Sequence, residues 1–172
     1  EQVTIERETY ALDRPFLVIA SQIPYGDAGT SPLTAVQMDR FMVRAWSAYP
    51  SPDEEDQMLR DIDSISDAQV SAVITPSDIV RLQDEVKEIH VAASIRQYII
   101  SLLDSLRHQP EISAGPSPRG GIALFKGSRA LAFVAGRDFV IPDDVKRLLA
   151  PVLTHRVRIT AEAEMEDATA DA

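Results

Sequence analysis

Four helix starts of one design constrain the fold of this chain most strongly. In the first three, a hydroxyl residue precedes a proline, and the fourth keeps the proline alone; they are Ser51-Pro52, Thr75-Pro76, Ser117-Pro118 and Ile141-Pro142. A Ser or Thr side chain caps the free backbone N–H groups of a helix start, and Pro suits the first helical position because the N–H that it lacks would have no helical partner there. We therefore predict a helical chain from residue 51 onward.

Apolar residues recur after those starts at intervals of three or four, which is the spacing of one helix face. The stripes are Ile79, Leu82, Val86 and Ile89; Ile95, Ile99, Leu102, Leu103 and Leu106; a looser Ile122, Phe125, Leu131 and Val134; and Val145, Leu148, Leu149 and Val152. They predict a bundle of about five helices over residues 51–156, with enough apolar surface for a common core.

The first 46 residues have the pattern of strands and loops instead. Residues 2–6 alternate polar and apolar, as a half-buried strand does. Residues 16–20 are continuously apolar, which is typical of a strand covered on both faces, and residues 42–46 suggest another strand after a short helix at 34–41. Buried strands need neighbours and covering helices, and this segment supplies too few. It is therefore predicted to be an incomplete α/β unit.

The fold class predicted from these patterns is mostly α, with a few strands at the start. We divide the chain into an α/β segment at residues 1–49, a helical domain at 50–160 and an acidic tail at 161–172. The tail is rich in Ala, Glu and Asp and is expected to be disordered.

Composition limits the partners and the setting. The net charge is −10, which argues against a nucleic acid or a membrane surface as the main partner, and against a winged-helix DNA binder, since those partners attract basic surfaces. No apolar run approaches the roughly 20 residues of a membrane-spanning helix. The chain has no cysteine, so it holds no disulfide or thiolate metal site, and a cytoplasmic location is the default.

Most familiar catalytic patterns are missing from the sequence. The three histidines, His90, His108 and His155, lie in separate segments without a second ligand at metal spacing, so we predict no metal site. Residues 121–128 have some letters of a phosphate-binding loop, but Lys126 precedes Gly127, which is the wrong order. That stretch fits a helix better.

Two arginines are the more informative residues. Arg119 falls in the first turn of the helix that Ser117 opens, where a cation is unfavourable unless an anion is present, because the helix dipole is positive there. Arg119 therefore either binds phosphate or reaches out to water or a nearby Asp. Arg40, within Asp39-Arg40-Phe41, is on local evidence an ordinary exposed residue at a helix end.

A series of short segments follows a specific order and spacing along nearly the whole chain. They lie at residues 1–5, 16–24, 29–33, 39–41, 49–51, 117–119, 136–146 and 152–156, and include Asp39-Arg40-Phe41 and Ser117-Pro118-Arg119. Together they resemble the MoxR family of AAA+ ATPases. The resemblance implies a helical lid domain preceded by the end of an AAA+ core.

The same resemblance implies a role for each arginine. Arg40 matches the arginine finger, which would reach the γ-phosphate of ATP bound by a neighbouring subunit. Arg119 matches the sensor 2 arginine, which would touch the nucleotide of its own subunit. ATP and Mg²⁺ are the implied cofactors of the full-length protein. The Walker A and B motifs would precede Glu1, so this chain alone is expected to bind no cofactor and to be inactive.

One position departs from the family pattern. The sensor 1 Asn is replaced by Ile23, with Gln22 beside it. An isoleucine side chain cannot orient a water molecule. Either Gln22 substitutes for the missing amide, or hydrolysis is slow.

The implied function is chaperone-like remodelling or assembly of partner proteins, coupled to ATP binding and hydrolysis. The implied partners are other copies of the chain in a ring, expected to be a hexamer, and proteins with von Willebrand factor A-type domains. The alternative is a non-enzymatic helical interaction module, in which Arg40 and Arg119 are plain surface residues.

Overall fold

The structure is a computed structural model, and it describes residues 2–22 and 31–166. The helices in this part are α1 (Ala35–Met38), α2 (Pro52–Ser66), α3 (Pro76–Glu88), α4 (Ala93–Arg107), α5 (Pro118–Val134), α6 (Pro142–Arg147), α7 (Leu149–Leu153), a 3₁₀ turn (Thr154–Arg156) and α8 (Ala161–Met165). The strands are β1 (Gln2–Ile5), β2 (Glu8–Ala11), β3 (Ile112–Ala114) and β4 (Arg158–Ile159). The predicted mostly-α fold with a few strands is confirmed.

All four predicted helix starts are confirmed, with proline as the first helical residue each time. The side-chain oxygens of Ser51, Thr75 and Ser117 accept backbone N–H groups at 3.4, 3.2 and 3.2 Å. At the fourth start the cap comes from inside the helix, because the Asp144 carboxylate accepts the N–H of Ile141 at 2.9 Å.

The core of the described residues lies within the helical part. Its buried members are Ile89, Val91, Ile95, Ile99, Leu103, Ala123, Leu124, Ala132, Val140, Val145, Val152 and Leu153. The stripe predicted on α4 is confirmed, since Ile95, Ile99 and Leu103 are its buried residues. Helices α3, α4, α6 and α7 all pack against α5, which is therefore the central helix.

The face of α5 that packs inward matches the predicted stripe only in part, since Phe125 packs against the core. Its buried residues are mostly small ones: Gly120, Ala123, Leu124, Gly127, Ser128 and Ala132. Of the predicted stripe, Ile122 is 54% exposed and Val134 is 83% exposed. Close approach of neighbouring helices explains the difference, because a Cβ atom on Gly127 would lie 2.8 Å from Leu148 Cδ1. The phosphate-loop-like stretch at 121–128 is helical, as expected.

The last predicted helix of the bundle is divided in two. Leu148 ends α6 and precedes α7, so six α-helices rather than five lie between residues 51 and 156. Pro151 explains the break, because proline is tolerated only in the first turn of a helix, and the helix restarts at Leu149.

A bidentate ion pair between Arg137 and Asp144, with N···O distances of 2.9 and 2.6 Å, fixes the α5–α6 connection.

The first 49 residues contain less sheet than predicted. The strand predicted at 2–6 is present as β1, whose one partner in the described part of the chain is β2, in an exposed antiparallel hairpin. The strands predicted at 16–20 and 42–46 are not formed. Leu17 is 78% exposed and Ile19 is 85% exposed, since no strand in the described residues pairs with that segment. The short helix predicted at 34–41 is present as α1.

The acidic tail also differs from its prediction where it is described. Residues 161–165 form α8, capped by the Thr160 hydroxyl, and Ala163 is buried. Residues 167–172 lie outside the described part, and the domain limits stay a prediction. Within residues 2–22 and 31–166, none of the helices combines the length and the apolar character of a membrane-spanning segment.

Candidate functional site

The carboxylate of Asp39 joins the first segment of the chain to the helical domain. Asp39 directly follows α1, and its two oxygens accept the Ser117 hydroxyl at 3.0 and 2.9 Å. One of them also accepts the Arg156 Nε–H at 3.1 Å. These partners lie 78 and 117 residues away in sequence, so they link the end of α1 to the start of α5 and to the 3₁₀ turn after α7.

Arg156 is the most completely bonded charged residue of this region. Its side chain is 2% exposed. Besides Asp39, its guanidinium donates to the carbonyl oxygens of Phe41, Val152 and, at 3.2 Å, Met42. The pKa of Arg156 is lowered by burial, an effect that Asp39 opposes and the nearby charge of Arg119 reinforces. Positive charge is therefore crowded around one carboxylate.

Ser117 links that carboxylate to the first turn of α5. Its hydroxyl donates to Asp39 and accepts the backbone N–H of Arg119 at 3.2 Å. The start of α5 is thereby fixed next to the end of α1. Arg40 follows Asp39, so the two predicted site arginines approach each other from two segments of the chain.

Arg40 and Arg119 line one shallow cavity of about 210 Å³. Its walls are Asp39, Arg40, Met42, Arg119, Ile122, Ala123, Lys126 and Arg156. The set contains four cations and one carboxylate, and the surface that the cavity exposes is more apolar than polar. The volume is below the roughly 300 Å³ at which small-molecule pockets begin. Such a cavity fits an anionic group such as a phosphate better than a whole nucleotide.

The side chains of Arg40 and Arg119 are exposed, and neither makes a salt bridge within residues 2–22 and 31–166. Gln22 is also exposed and does not line the cavity, and Ile23 lies outside the described residues. The structure thus brings the two arginines together without Gln22.

Sequence reasoning missed two cations of this cavity. Lys126 could have been found, because it lies seven residues after Arg119 and so on the same face of α5. Arg156 gave no comparable indication, since its importance comes from contacts with residues more than a hundred positions away.

His155 packs against the same segment as Arg156. Its Nε2 lies 3.2 Å from the carbonyl oxygen of Phe41, so in the neutral ring Nε2–H donates. Its Nδ1 is buried without a partner in the described part of the chain. Burial lowers the pKa of His155, and the charge of Arg156 lowers it further.

We expect His155 to make the protein less stable in mild acid. Because its pKa is lower in the folded than in the unfolded chain, the unfolded chain binds more protons between the two values. The free energy of unfolding should therefore be constant above about pH 7 and fall as the pH drops below about 6.5, the ordinary histidine pKa. Urea unfolding from pH 7.5 to 5.5 measures this slope.

His155→Gln should reduce the slope, because the glutamine amide can donate to Phe41 without titrating. His108→Gln is the matched control, since His108 is exposed. Equal slopes in the wild type and His155→Gln would contradict the assignment.

The helical domain and the segment before it each match a known protein family. The AAA lid domain matches residues 104–172, and the ATPase family associated with various cellular activities (AAA) matches residues 1–43. The class defined by fold and site is therefore that of AAA proteins, represented by the end of a core and its lid.

Relatives define the family more closely. The chain is 38% identical over 171 residues to the uncharacterized protein YeaC of Bacillus subtilis, covering 99% of this chain and 53% of YeaC. It is 32% identical over 171 residues to chaperone MoxR1 of Mycobacterium tuberculosis, covering 94% of this chain and 45% of MoxR1. A crystal structure of a candidate ATPase from Cytophaga hutchinsonii is 33% identical, with a TM-score of 0.89 over 98% of this chain and 54% of that one.

The chain belongs to the MoxR family of AAA+ ATPases and corresponds to the end of the AAA core with the lid domain. This confirms the resemblance inferred from the sequence. The chain spans about half the length of these relatives.

Proposed function

We propose that this chain is the lid domain and the end of the AAA core of a ring-forming ATPase that remodels or assembles partner proteins. The observation that carries the proposal is the cationic cavity in which Arg40 and Arg119 meet, although 79 residue positions separate them. Phosphoryl transfer depends mainly on positioned positive charge, which this cavity supplies. A chaperone-like role is supported by similarity to MoxR1, which is named a chaperone.

Arg119 is proposed to contact the phosphates of ATP bound by its own subunit. Its guanidinium lies in the first turn of a 17-residue helix, where the dipole disfavours a cation by up to about 1 kcal/mol unless an anion is near. Its charge adds to that of Lys126 along the same cavity wall. This arrangement favours phosphate binding over the plain surface role that the sequence left open.

ATP and Mg²⁺ are the proposed cofactors of the full-length protein, and Mg²⁺ neutralises phosphate charge when bound. The residues of the cavity fit this chemistry on the phosphate side, since the exposed cations Arg40, Arg119 and Lys126 line it. The sequence of this chain contains no Walker A motif. The chain by itself is therefore proposed to be inactive.

Arg40 is proposed to act as the arginine finger on ATP bound by the neighbouring subunit. Its exposed side chain has no carboxylate partner in the described residues, which leaves the guanidinium available. Gln22 is proposed to replace the sensor 1 amide. Six such subunits are proposed to form a ring in the cytoplasm.

A second function is favoured by an unpartnered helix face. On α2, Met58, Ile62 and Ile65 recur at helical spacing, and all three are exposed. An apolar face of this kind suits a protein partner. Such a partner, including one with a von Willebrand factor A-type domain, would make α2 an interaction element, with or without hydrolysis elsewhere.

Replacement of Arg119 by Ala tests the proposed nucleotide contact. In the full-length protein we expect Arg119→Ala to weaken binding of the fluorescent nucleotide mant-ATP about 10- to 100-fold, the effect of losing a charge-assisted hydrogen bond. Fluorescence titration with Mg²⁺ measures the affinity.

The control for this variant is Arg60→Ala, because Arg60 is an exposed helical arginine whose ion pair, among residues 2–22 and 31–166, is with Asp56 on α2. It should bind mant-ATP as the wild type does. Unchanged affinity in Arg119→Ala would remove the sensor 2 role and favour the interaction-module reading.

A further inference from the structure

We infer that Asp39 is a positioning residue that couples the two arginines, through a hydrogen-bonded clasp formed by Asp39, Ser117 and Arg156. In this clasp, movement at the start of α5 is transmitted to the segment that carries Arg40. The inference rests on the proposed function. It adds a coupling between the nucleotide bound by one subunit and Arg40 of that subunit, which acts on the nucleotide of the next subunit.

The first half of the clasp is a continuous hydrogen-bond chain. The backbone N–H of Arg119 donates to Ser117 Oγ at 3.2 Å. The Ser117 hydroxyl donates to the Asp39 carboxylate, with its Oγ 2.9 and 3.0 Å from the two carboxylate oxygens. Asp39 precedes Arg40 directly. A shift of Arg119 toward a phosphate therefore pulls on the residue next to Arg40.

The second half fixes the segment after Arg40. The Arg156 guanidinium joins Asp39 to the carbonyl oxygens of Phe41 and Met42. Two residues on, the backbone N–H of Arg44 donates to Pro151 O at 2.7 Å, which attaches the segment to α7. Residues 39–44 are thus bonded to the helical domain on two sides, and they move with it.

The Asp39 side chain forms its hydrogen bonds within the clasp. Its hydrogen bonds within the described residues go to Ser117 and Arg156, and none goes back to α1. The end of α1 is stabilised by backbone hydrogen bonds, with the Asp39 N–H donating to Ala35 O at 2.9 Å. The carboxylate is only 23% exposed, and charge-assisted bonds at such a site are about twice as strong as neutral ones.

Coupling between two sites is reciprocal in binding free energy. Nucleotide bound near Arg119 should therefore hold residues 39–44 in one position, and the Ser117 hydroxyl should be required for this effect. Loss of the hydroxyl keeps both arginines in the chain and leaves Asp39 bonded to Arg156, but it breaks the bond between Asp39 and the start of α5 and so separates the movements of the two arginines.

Hydrogen exchange in the full-length protein tests the coupling directly. Addition of mant-ATP and Mg²⁺ should slow exchange of the amides at 39–44 several-fold in the wild type and in Ser117→Thr, which keeps the hydroxyl. In Ser117→Ala the same addition should leave these amides unchanged. Ser51→Ala is the control, because it removes the cap hydroxyl of another Ser-Pro helix start, that of α2, which does not line the cavity.

Turnover gives a second readout that a purely structural role would not produce. Ser117→Ala should lower kcat about 10-fold, the effect of one hydrogen bond to a charged group. In an Arg40→Ala background the same change should have no further effect, because Asp39 acts through Arg40. A general loss of packing would lower kcat by the same factor in both backgrounds.

The outcomes separate this inference from the proposed function. If Arg40→Ala leaves turnover unchanged but the exchange effect at 39–44 is still lost in Ser117→Ala, the finger role fails and the coupling stands. If Arg40→Ala lowers turnover while Ser117→Ala retains both turnover and the exchange effect, the coupling is overturned. Absence of any nucleotide effect on these amides in the wild type overturns it as well.

Discussion

Replacement of Arg40 by Ala in the full-length protein is expected to lower ATP turnover by about 10³-fold and to leave the affinity for ATP nearly unchanged. The reason is that a finger arginine stabilises charge that develops in the transition state, whereas the ground state is held by other groups. Steady-state turnover together with mant-ATP titration separates the two effects. The control is Arg44→Ala, because Arg44 is nearby but stacks on the ring of Trp46, 3.8 Å from its centroid.

Mixed rings test whether Arg40 acts across a subunit boundary. Arg40→Ala chains retain an intact Walker A motif, and chains lacking the Walker A Lys retain Arg40. If the finger acts in trans, about a quarter of the interfaces in a random equal mixture regain both groups, because each interface joins two independent subunits. Activity should therefore reappear on mixing two inactive proteins.

The shared cavity makes the opposite result informative too. Because Arg40 and Arg119 line one cavity within a single chain, both could act on the same nucleotide. In that case Arg40→Ala would weaken ATP binding as Arg119→Ala does, and mixed assembly would restore nothing. These two results together would replace the trans role by a contact within one subunit.

The local chemistry of this sequence predicts its helices well. Each Pro-led start is a helix start, because capping and the fixed backbone angle of proline act within a few residues. The stripe on α4 is likewise buried, since large apolar residues dominate one face of that helix. Such features need no knowledge of the remaining chain.

Features that depend on a packing partner were predicted less well. The inner face of α5 is formed mostly by small residues such as Gly127. Because Gly127 has no Cβ atom, the Leu148 side chain can pack closely against it. A count of large apolar residues does not detect such a face. The apolar residues at 16–20 form no strand, because a strand needs a hydrogen-bonding neighbour and none is present in the described part.

The candidate site was found only in part for the same reason. Arg40 and Arg119 were identified through the resemblance and, for Arg119, through its place at a helix start. That they line one cavity depends on the bond between Asp39 and Ser117, which no local pattern indicates. Arg156 was missed as well, because its role follows from distant backbone carbonyl groups.

Arg156 should contribute more to stability than any other single cation of the cavity. We expect Arg156→Ala to lower the free energy of unfolding of this chain by about 3–5 kcal/mol, the usual effect of removing one partner from a buried ion pair. The substitution removes the Asp39 partner and the guanidinium donors to the carbonyl oxygens of Met42 and Val152, and it leaves the Phe41 oxygen with His155 alone. Urea unfolding at pH 7.5 measures the loss, with Arg158→Ala as the exposed control two residues away.

A double-mutant cycle shows how much of that loss is due to the carboxylate left behind. Asp39→Asn in the Arg156→Ala background removes the unpaired charge, so the double variant should be less destabilised than the sum of the two single variants, by about 1 kcal/mol or more. Arg156→Lys should lie between the wild type and Arg156→Ala, because an ammonium group keeps the charge but cannot reach Asp39 and three carbonyl groups at once. A loss below about 1 kcal/mol in Arg156→Ala, typical of a surface ion pair, would show that the clasp is solvated and does not hold Arg40 in place.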